Sequence, residues 1–261
     1  AAKSRYGHKY NPTYPPGVIY RMALDGSGKM AKFAAVEVAH TEGVGGEYTK
    51  NMGDFAAKYA WGAPLSGLAV GKDGRVYVGD REHQRVAVFN PDGKLAGQLN
   101  VKCPSLLAVH PTTGAVYVLQ KARLGYSKWL MTLFKFDKVG DAKPSITRKL
   151  SSVMRTGMSL WATKDRTLLL LYGLGKGVGG DVTFLTDAGD RFEPAETPYR
   201  PGPNAQYGWH RLAVDHDRDE VYVSDGGTKV WRYDGRTGAG GLLTRNGKPF
   251  PINDLAVGYA G

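Results

Sequence analysis

Pro64-Leu-Ser-Gly-Leu-Ala-Val-Gly-Lys-Asp-Gly-Arg-Val-Tyr-Val-Gly-Asp80 holds two alternating apolar runs separated by Asp73-Gly74. Asp-Gly between such runs signals a hairpin, because a two-residue turn needs the positive φ that Gly and Asp tolerate. The stretch is therefore predicted as a strand, a two-residue turn and a second strand. Arg85-Val-Ala-Val-Phe89 alternates as a third strand, and Asn90-Pro-Asp-Gly93 turns the chain into a fourth, Lys94 to Asn100.

The unit recurs. Ser105-Leu-Leu-Ala-Val109, Ala115-Val-Tyr-Val-Leu119 and Leu133-Phe-Lys-Phe-Asp137 form a second copy. Ser159-Leu-Trp-Ala162, Thr167-Leu-Leu-Leu-Leu171 and Val182-Thr-Phe-Leu-Thr-Asp187 form a more diverged third. Arg211-Leu-Ala-Val-Asp215, Glu220-Val-Tyr-Val-Ser-Asp225 and Lys229-Val-Trp-Arg-Tyr-Asp-Gly235 form the fourth, and Ile252-Asn-Asp-Leu-Ala-Val257 opens a fifth. The equivalent leucines Leu68, Leu107, Leu160, Leu212 and Leu255 are spaced by 39, 53, 52 and 43 residues. Four strands per ~40–50 residues is the period of a β-propeller blade. Gly17 to Met22 and Lys29 to Phe33 read as the outer half of a blade whose inner half is supplied from residues 251–261.

The fold class predicted is all-β, a β-propeller of four-stranded antiparallel blades. Five blade units are recognisable, at about 17–37 with 251–261, 64–100, 104–150, 156–195 and 207–246, or they belong to a six-bladed ring cut short. Residues 1–16 are expected to be an extended arm or linker. Residues 38–61 depart from the blade pattern. Tyr48, Met52, Phe55, Ala56, Tyr59 and Ala60 fall near helical spacing there, so a short helical insertion is expected near 47–60.

Composition agrees with many short strands. Gly 36 and Pro 14 of 261 residues exceed the usual combined ~12%. No window approaches the ~18 consecutive apolar residues of a membrane helix. The single cysteine, Cys103, excludes an internal disulfide framework, a Cys-rich zinc site and a c-type haem motif. A chain opening Ala1-Ala2 fits what a signal peptidase leaves as well as it fits an arbitrary boundary. The low cysteine count, taken with a family resemblance in the repeats, leans towards an extracytoplasmic bacterial protein, periplasmic or secreted. Lys+Arg 35 against Asp+Glu 24 give a net charge of +11, which suits an anionic partner.

Pro64 to Phe89, and less closely Leu212 to Tyr233, resemble NHL repeats. Gly67, Leu68, Asp80, Arg85 and Val86 occupy the places that the family pattern expects. The resemblance implies the propeller fold but leaves function open, because NHL propellers include lyases, RNA binders and protein-binding scaffolds. In the zinc-dependent peptidyl-amidoglycolate lyases of the family, histidines from several inner strands converge on the channel. Here Pro64-Leu65-Ser66-Gly67 and Pro104-Ser105 lack the histidine, and only His210 stands near the position. One ligand cannot hold a catalytic zinc, so no metal, cofactor or catalytic residue is assigned.

Two motifs dissolve on inspection. Asp215-His-Asp-Arg-Asp219 has alternating carboxylates, but Glu220 and Gly226 break the EF-hand pattern, so a turn-forming acidic cluster is expected. Gly175-Lys-Gly-Val-Gly-Gly180 is followed by strand-like alternation rather than a helix, so it is no dinucleotide fingerprint. Asp80 and Asp225 are expected to accept backbone N–H bonds in the following turn, and Arg85 to pair with an acid. Trp161 and Trp231 are expected to pack between blades.

Loops between second and third strands share one propeller face with the blade-linking loops. The site residues expected on that rim are Arg81, His83, Arg123, Tyr126, Lys128, Trp129, Lys176, Trp209, His210 and Arg211. Glu82, Lys102, Lys121 and Lys229 stand among their neighbours. Cations interleaved with aromatics suit polyanions, single-stranded nucleic acid or carbohydrate. The expected function is a non-enzymatic binding or assembly scaffold for a protein or an anionic polymer (polysaccharide or nucleic acid), with self-assembly through open blade edges also possible. The alternatives are a metal-dependent lyase or hydrolase with its site in the channel, and an RNA-binding propeller.

Overall fold

The computed structural model describes residues 17–23, 28, 30–37, 65–123, 129–150, 157–162, 166–172, 183–195, 211–224 and 229–243. The segments 1–16, 38–61 and 251–261, with the expected arm, helix and fifth inner strand, lie outside the described residues. The chain divides into two compact units, residues 1–126 with 132–145, and residues 127–131 with 146–261.

Every described element is a strand. The first unit opens with β1 (Val18–Arg21) and β2 (Ala31–Ala35), an antiparallel pair. A four-stranded antiparallel sheet follows, of β3 (Leu65–Val70), β4 (Val76–Asp80), β5 (Arg85–Phe89) and β6 (Leu95–Asn100). The next sheet has β7 (Pro104–Val109), β8 (Val116–Arg123), β9 (Trp129–Phe136) and β10 (Ile146–Leu150) in chain order. Besides β10 and the start of β9, the second unit holds two complete antiparallel sheets. One is β11 (Gly157–Ala162), β12 (Thr167–Tyr172), β13 (Thr183–Asp187) and β14 (Phe192–Pro194). The other is β15 (Arg211–Asp215), β16 (Glu220–Ser224), β17 (Val230–Asp234) and β18 (Gly240–Leu243). These are the meandering four-stranded blades of a β-propeller.

The central strands are apolar on both faces because a blade is covered on both sides. Along β4 and β5, Tyr77, Val86 and Val88 enter one core with Leu107, Val116, Val118 and Phe136 of the next sheet. The alternate residues Val78, Ala87 and Phe89 enter another with Ile19, Ala34 and Val36 of the first pair. The strand period of two thus sorts one segment into two cores. In the second unit Trp161, Leu168, Leu170 and Phe184 pack against Leu212, Val214, Val221, Val223, Trp231 and Tyr233. Both tryptophans are therefore between blades, as their spacing predicts.

Two details depart from the sequence reading. The β3–β4 connection is not a two-residue turn. Gly71 N–H donates to Arg75 O and Gly74 N–H to Gly71 O, both at 2.9 Å, with φ of +77° at Gly74. Asp73 stays at negative φ, so Lys72-Asp73-Gly74 is a three-residue loop that closes on a left-handed glycine. Asn90 to Lys94 repeats the pattern. Secondly, Leu68 is 54% exposed, although Leu107, Leu160 and Leu212 are buried. The β1–β2 pair covers the central strands of the first sheet, and among the described residues it has no inner strand to cover β3.

Two contacts fix the end of the first sheet near residue 80. The carboxylate of Asp80 is fully buried and accepts Arg85 Nε at 2.8 Å and the His83 backbone N–H at 3.1 Å. Arg85 also donates to Gln98 Oε1 at 2.8 Å, which ties β5 to β6. On the inner strand, Gly67 lies at φ +44° beside a register shift, and a Cβ there would stand 2.4 Å from Ser105 O. Ser66 Oγ donates to Pro104 O at 2.6 Å, so β3 and β7 approach backbone to backbone.

Asp80→Ala leaves the Arg85 guanidinium without its carboxylate and should lower the unfolding free energy by about 3 kcal/mol, read from urea denaturation. Gly67→Ala adds a methyl at positive φ against a backbone oxygen and should cost about 1–3 kcal/mol. Ser66→Ala, which only loses a hydrogen bond, should cost about 1 kcal/mol.

Candidate functional site

The loop 81–84 between β4 and β5, the link 101–103 between β6 and β7, and the far half of β8 meet at one end of the strands in the first unit. Hydrogen bonds knit the three together. Arg81 Nε donates to Pro104 O at 3.0 Å and its Nη2 to Ser105 Oγ at 3.4 Å. Gln84, at φ +55°, donates through its amide to Arg81 O and accepts the Cys103 N–H at 3.1 Å. Cys103 O accepts the Lys121 N–H at 3.2 Å, and Gln120 Nε2 donates to Lys102 O at 2.9 Å.

Of the expected rim residues, Arg81 and His83 fall here, and both also support the scaffold. Arg81 bridges to the start of β7. His83 Nδ1 lies 3.0 and 2.8 Å from the two Asp80 oxygens, an arrangement in which Nδ1 donates and Nε2 is the outward ring nitrogen. Arg123 ends β8 and Trp129 begins β9, so they flank the loop that corresponds to 81–84 in the next sheet. Arg211 begins β15 in the second unit. Tyr126, Lys128, Lys176, Trp209 and His210 lie outside the described residues, as does Asp225.

The electrostatics single out Lys121. Burial, and then the Arg81 guanidinium beside it, lower its ammonium from the ordinary lysine range to about 8. Sequence shows Lys121 only as one cation among many, because Arg81 is 40 residues away along the chain and reaches it through the fold. Cys103 sits in the same cluster at φ +47°. Burial pushes its thiol up to about 11 against the opposing pull of Arg81 and Lys102, so it is no thiolate nucleophile at neutral pH. Arg81 and Lys102 therefore lie near a buried neutral thiol, and Lys121 lies near Arg81. Such a cluster can neutralise an anion, and it has an amine that loses its proton near pH 8.

The acidic turn of the second unit is built as a turn. Asp215 Oδ1 accepts the Asp217 and Arg218 N–H groups at 3.0 and 3.1 Å. Asp219, at φ +54°, accepts Trp161 Nε1 at 3.2 Å and pairs with Arg236. Among the described residues no three His, Cys, Asp or Glu side chains are grouped to hold a metal ion.

The family model for the NHL repeat matches residues 65–89, which are strands β3, β4 and β5. A search of curated proteins returns no match to the chain. Among solved structures, a gluconolactonase from Xanthomonas campestris, described as important in glucose secondary metabolic pathways, aligns with a TM-score of 0.47 and 14% identity. The alignment covers 73% of this chain and 64% of that one, so the chain spans less than two thirds of that protein's length. The match to the NHL repeat thus spans β3 to β5 and includes the Asp80–Arg85 pair.

Proposed function

We propose that the protein is a binding module that takes an anionic group of a protein or polymer partner on the loop face of its first unit. The observation that carries this reading is the partly buried Lys121 ammonium held beside the Arg81 guanidinium. Two like charges kept together at one site are each stabilised when an anion enters between them. Arg81 is tied to Pro104 and Ser105, so its guanidinium is ordered before a ligand arrives. Lys102 adds a third cation. Arg123, Tyr126, Lys128 and Trp129, neighbours in sequence, are assigned to the same role.

Lys121→Met should weaken binding of a poly-glutamate peptide or a single-stranded oligonucleotide roughly tenfold, and reduce the log–log salt slope by about one. Thermal stability at neutral pH should hold or rise, because the substitution removes a charge whose burial opposes folding. Lost stability with unchanged affinity would sink the reading. Arg123→Ala with Lys128→Ala should likewise weaken binding without lowering the melting temperature. A slope spanning several ions identifies a polyanion, and a shallow one identifies a protein partner with a few acidic contacts.

The pH dependence has a definite sign. Folded Lys121 loses its proton near 8 and the unfolded chain's lysine near 10.5. Anion affinity should therefore fall as pH rises through 8. Between these values the unfolded chain binds more protons, so the stability of the free protein should rise with pH over that window from this group. Calorimetric titrations at pH 7 and 9, in two buffers of different ionisation enthalpy, should show proton uptake on binding only at the higher pH.

A further inference from the structure

Lys121 carries a second consequence, because a lysine is a nucleophile only through its neutral amine. Its side chain is half-buried near the end of β8, and burial disfavours the charged form. The Arg81 guanidinium disfavours it further. Both groups are placed by the junction of the two sheets. Arg81 donates to Pro104 O at 3.0 Å and to Ser105 Oγ at 3.4 Å, and the Lys121 N–H donates to Cys103 O at 3.2 Å.

The charged and titratable groups on the segments that meet here are Arg81, Glu82 and His83, then Lys102 and Cys103, then Lys121 and Arg123. Glu82 is the one carboxylate among them, and the Lys121 ammonium is lowered in its presence. The Cys103 thiol is held in its protonated form up to about 11 and is a poor nucleophile at neutral pH. The amine is therefore the nucleophile of the cluster.

Electrophiles differ in the charge they leave on that nitrogen. An aldehyde gives an imine, which when protonated keeps a positive charge beside Arg81. An acyl donor leaves a neutral amide. Carbon dioxide leaves a carbamate anion, for which the Arg81 guanidinium becomes a favourable neighbour. It is also uncharged and only three atoms long, so it reaches a half-buried amine without repulsion from the surrounding cations. In the step, the Nζ lone pair bonds to the carbon of CO2 as one C=O π pair moves onto oxygen. The nitrogen then gives a proton to water. Two protons are released per adduct from the ammonium and one from the neutral amine, and no other reactant is needed.

We propose that Lys121 is a reversible carbon dioxide acceptor whose Nζ carbamate pairs with Arg81 where the anionic partner would otherwise bind. The competition with a partner rests on the binding reading above, whereas the carbamate rests on the cluster alone.

The intact chain is held under CO2 at pH 8, treated with triethyloxonium and mapped by peptide mass spectrometry. An ethoxycarbonyl group should appear on Lys121 at least about tenfold above the other lysines, whose ammonium groups lose protons near the ordinary value. Carbon-13-enriched bicarbonate should give a carbamate resonance that is lost in Lys121→Arg. At fixed CO2 pressure, occupancy should rise with pH, releasing two protons per adduct below about 8 and one above. Arg81→Gln, with the fold checked by its amide spectrum, should lower trapping several-fold. CO2 should weaken poly-glutamate binding to the natural chain but not to Lys121→Arg, whose guanidinium can hold bicarbonate but has no amine to carboxylate.

Absence of a Lys121 adduct, label spread evenly over the lysines, or trapping indifferent to Arg81→Gln would overturn the proposal. So would CO2 sensitivity that survives Lys121→Arg, which would identify bicarbonate held as an ion. Poly-glutamate binding in CO2-free buffer separates the two readings. A Lys121 adduct without such binding removes the binding module and supports the carbamate, and binding without an adduct removes only the carbamate.

Discussion

A four-stranded sheet has two apolar faces and cannot bury either one alone, and the described structure follows from that constraint. Val86 and Val88 point to one core while Ala87 and Phe89 point to another, so β5 is stable only with a sheet on each side. The same demand makes β12 almost continuously leucine. It also explains why the contacts between neighbouring sheets are so close at the inner strands, where Gly67 meets Ser105 backbone to backbone. Chemistry is thereby displaced to the strand ends. The strand interiors are committed to packing, and polar side chains collect where the chain turns.

The legibility of the sequence tracks this division. Strands with two buried faces carry a strong pattern, and β5 runs from Arg85 to Phe89 as its alternation predicts. The outermost strands lack that signal. Ile146-Thr-Arg-Lys-Leu150 exposes alternate residues, Phe192-Glu-Pro194 is short, and Gly240-Gly-Leu-Leu243 is nearly all exposed. Such edges form because a buried neighbour templates them rather than because their own residues demand it. The Asp73-Gly74 dipeptide marks the turn but does not define its geometry, since one positive-φ glycine serves a three-residue loop as well as a two-residue one. Leu68 shows a further limit, because its repeat position matches Leu107 while its burial depends on what lies beside it.

The candidate site divides in the same way. The Asp80–Arg85 pair is local, five residues apart, and was readable as a strand-end acid followed by a base. The cluster of Arg81, Lys102, Cys103 and Lys121 is long-range. It depends on Gln84 and Cys103 both adopting positive φ, and on the Gln84 amide clamping two loops together. Neither residue type announces that conformation. A chain with 35 lysines and arginines offers many equivalent cations, and only the fold distinguishes the one that is partly desolvated beside another.

That distinction bears on how a scaffold acquires specificity. A mobile surface lysine meets an anion with modest gain, because the ordering of its long side chain offsets much of the attraction. Arg81 has already lost much of that freedom, since its guanidinium serves as a tie between the β3–β6 sheet and the start of β7. The backbone of Lys121 is held by Cys103 O in the same tie. The hydrogen bonds that join the two sheets therefore also order two neighbouring cations, and in the proposed role folding would supply ordering that binding otherwise requires. In the proposed role, specificity at this site would come from the blade junction itself. Substitutions that loosen the junction should cost affinity even where no charge is altered.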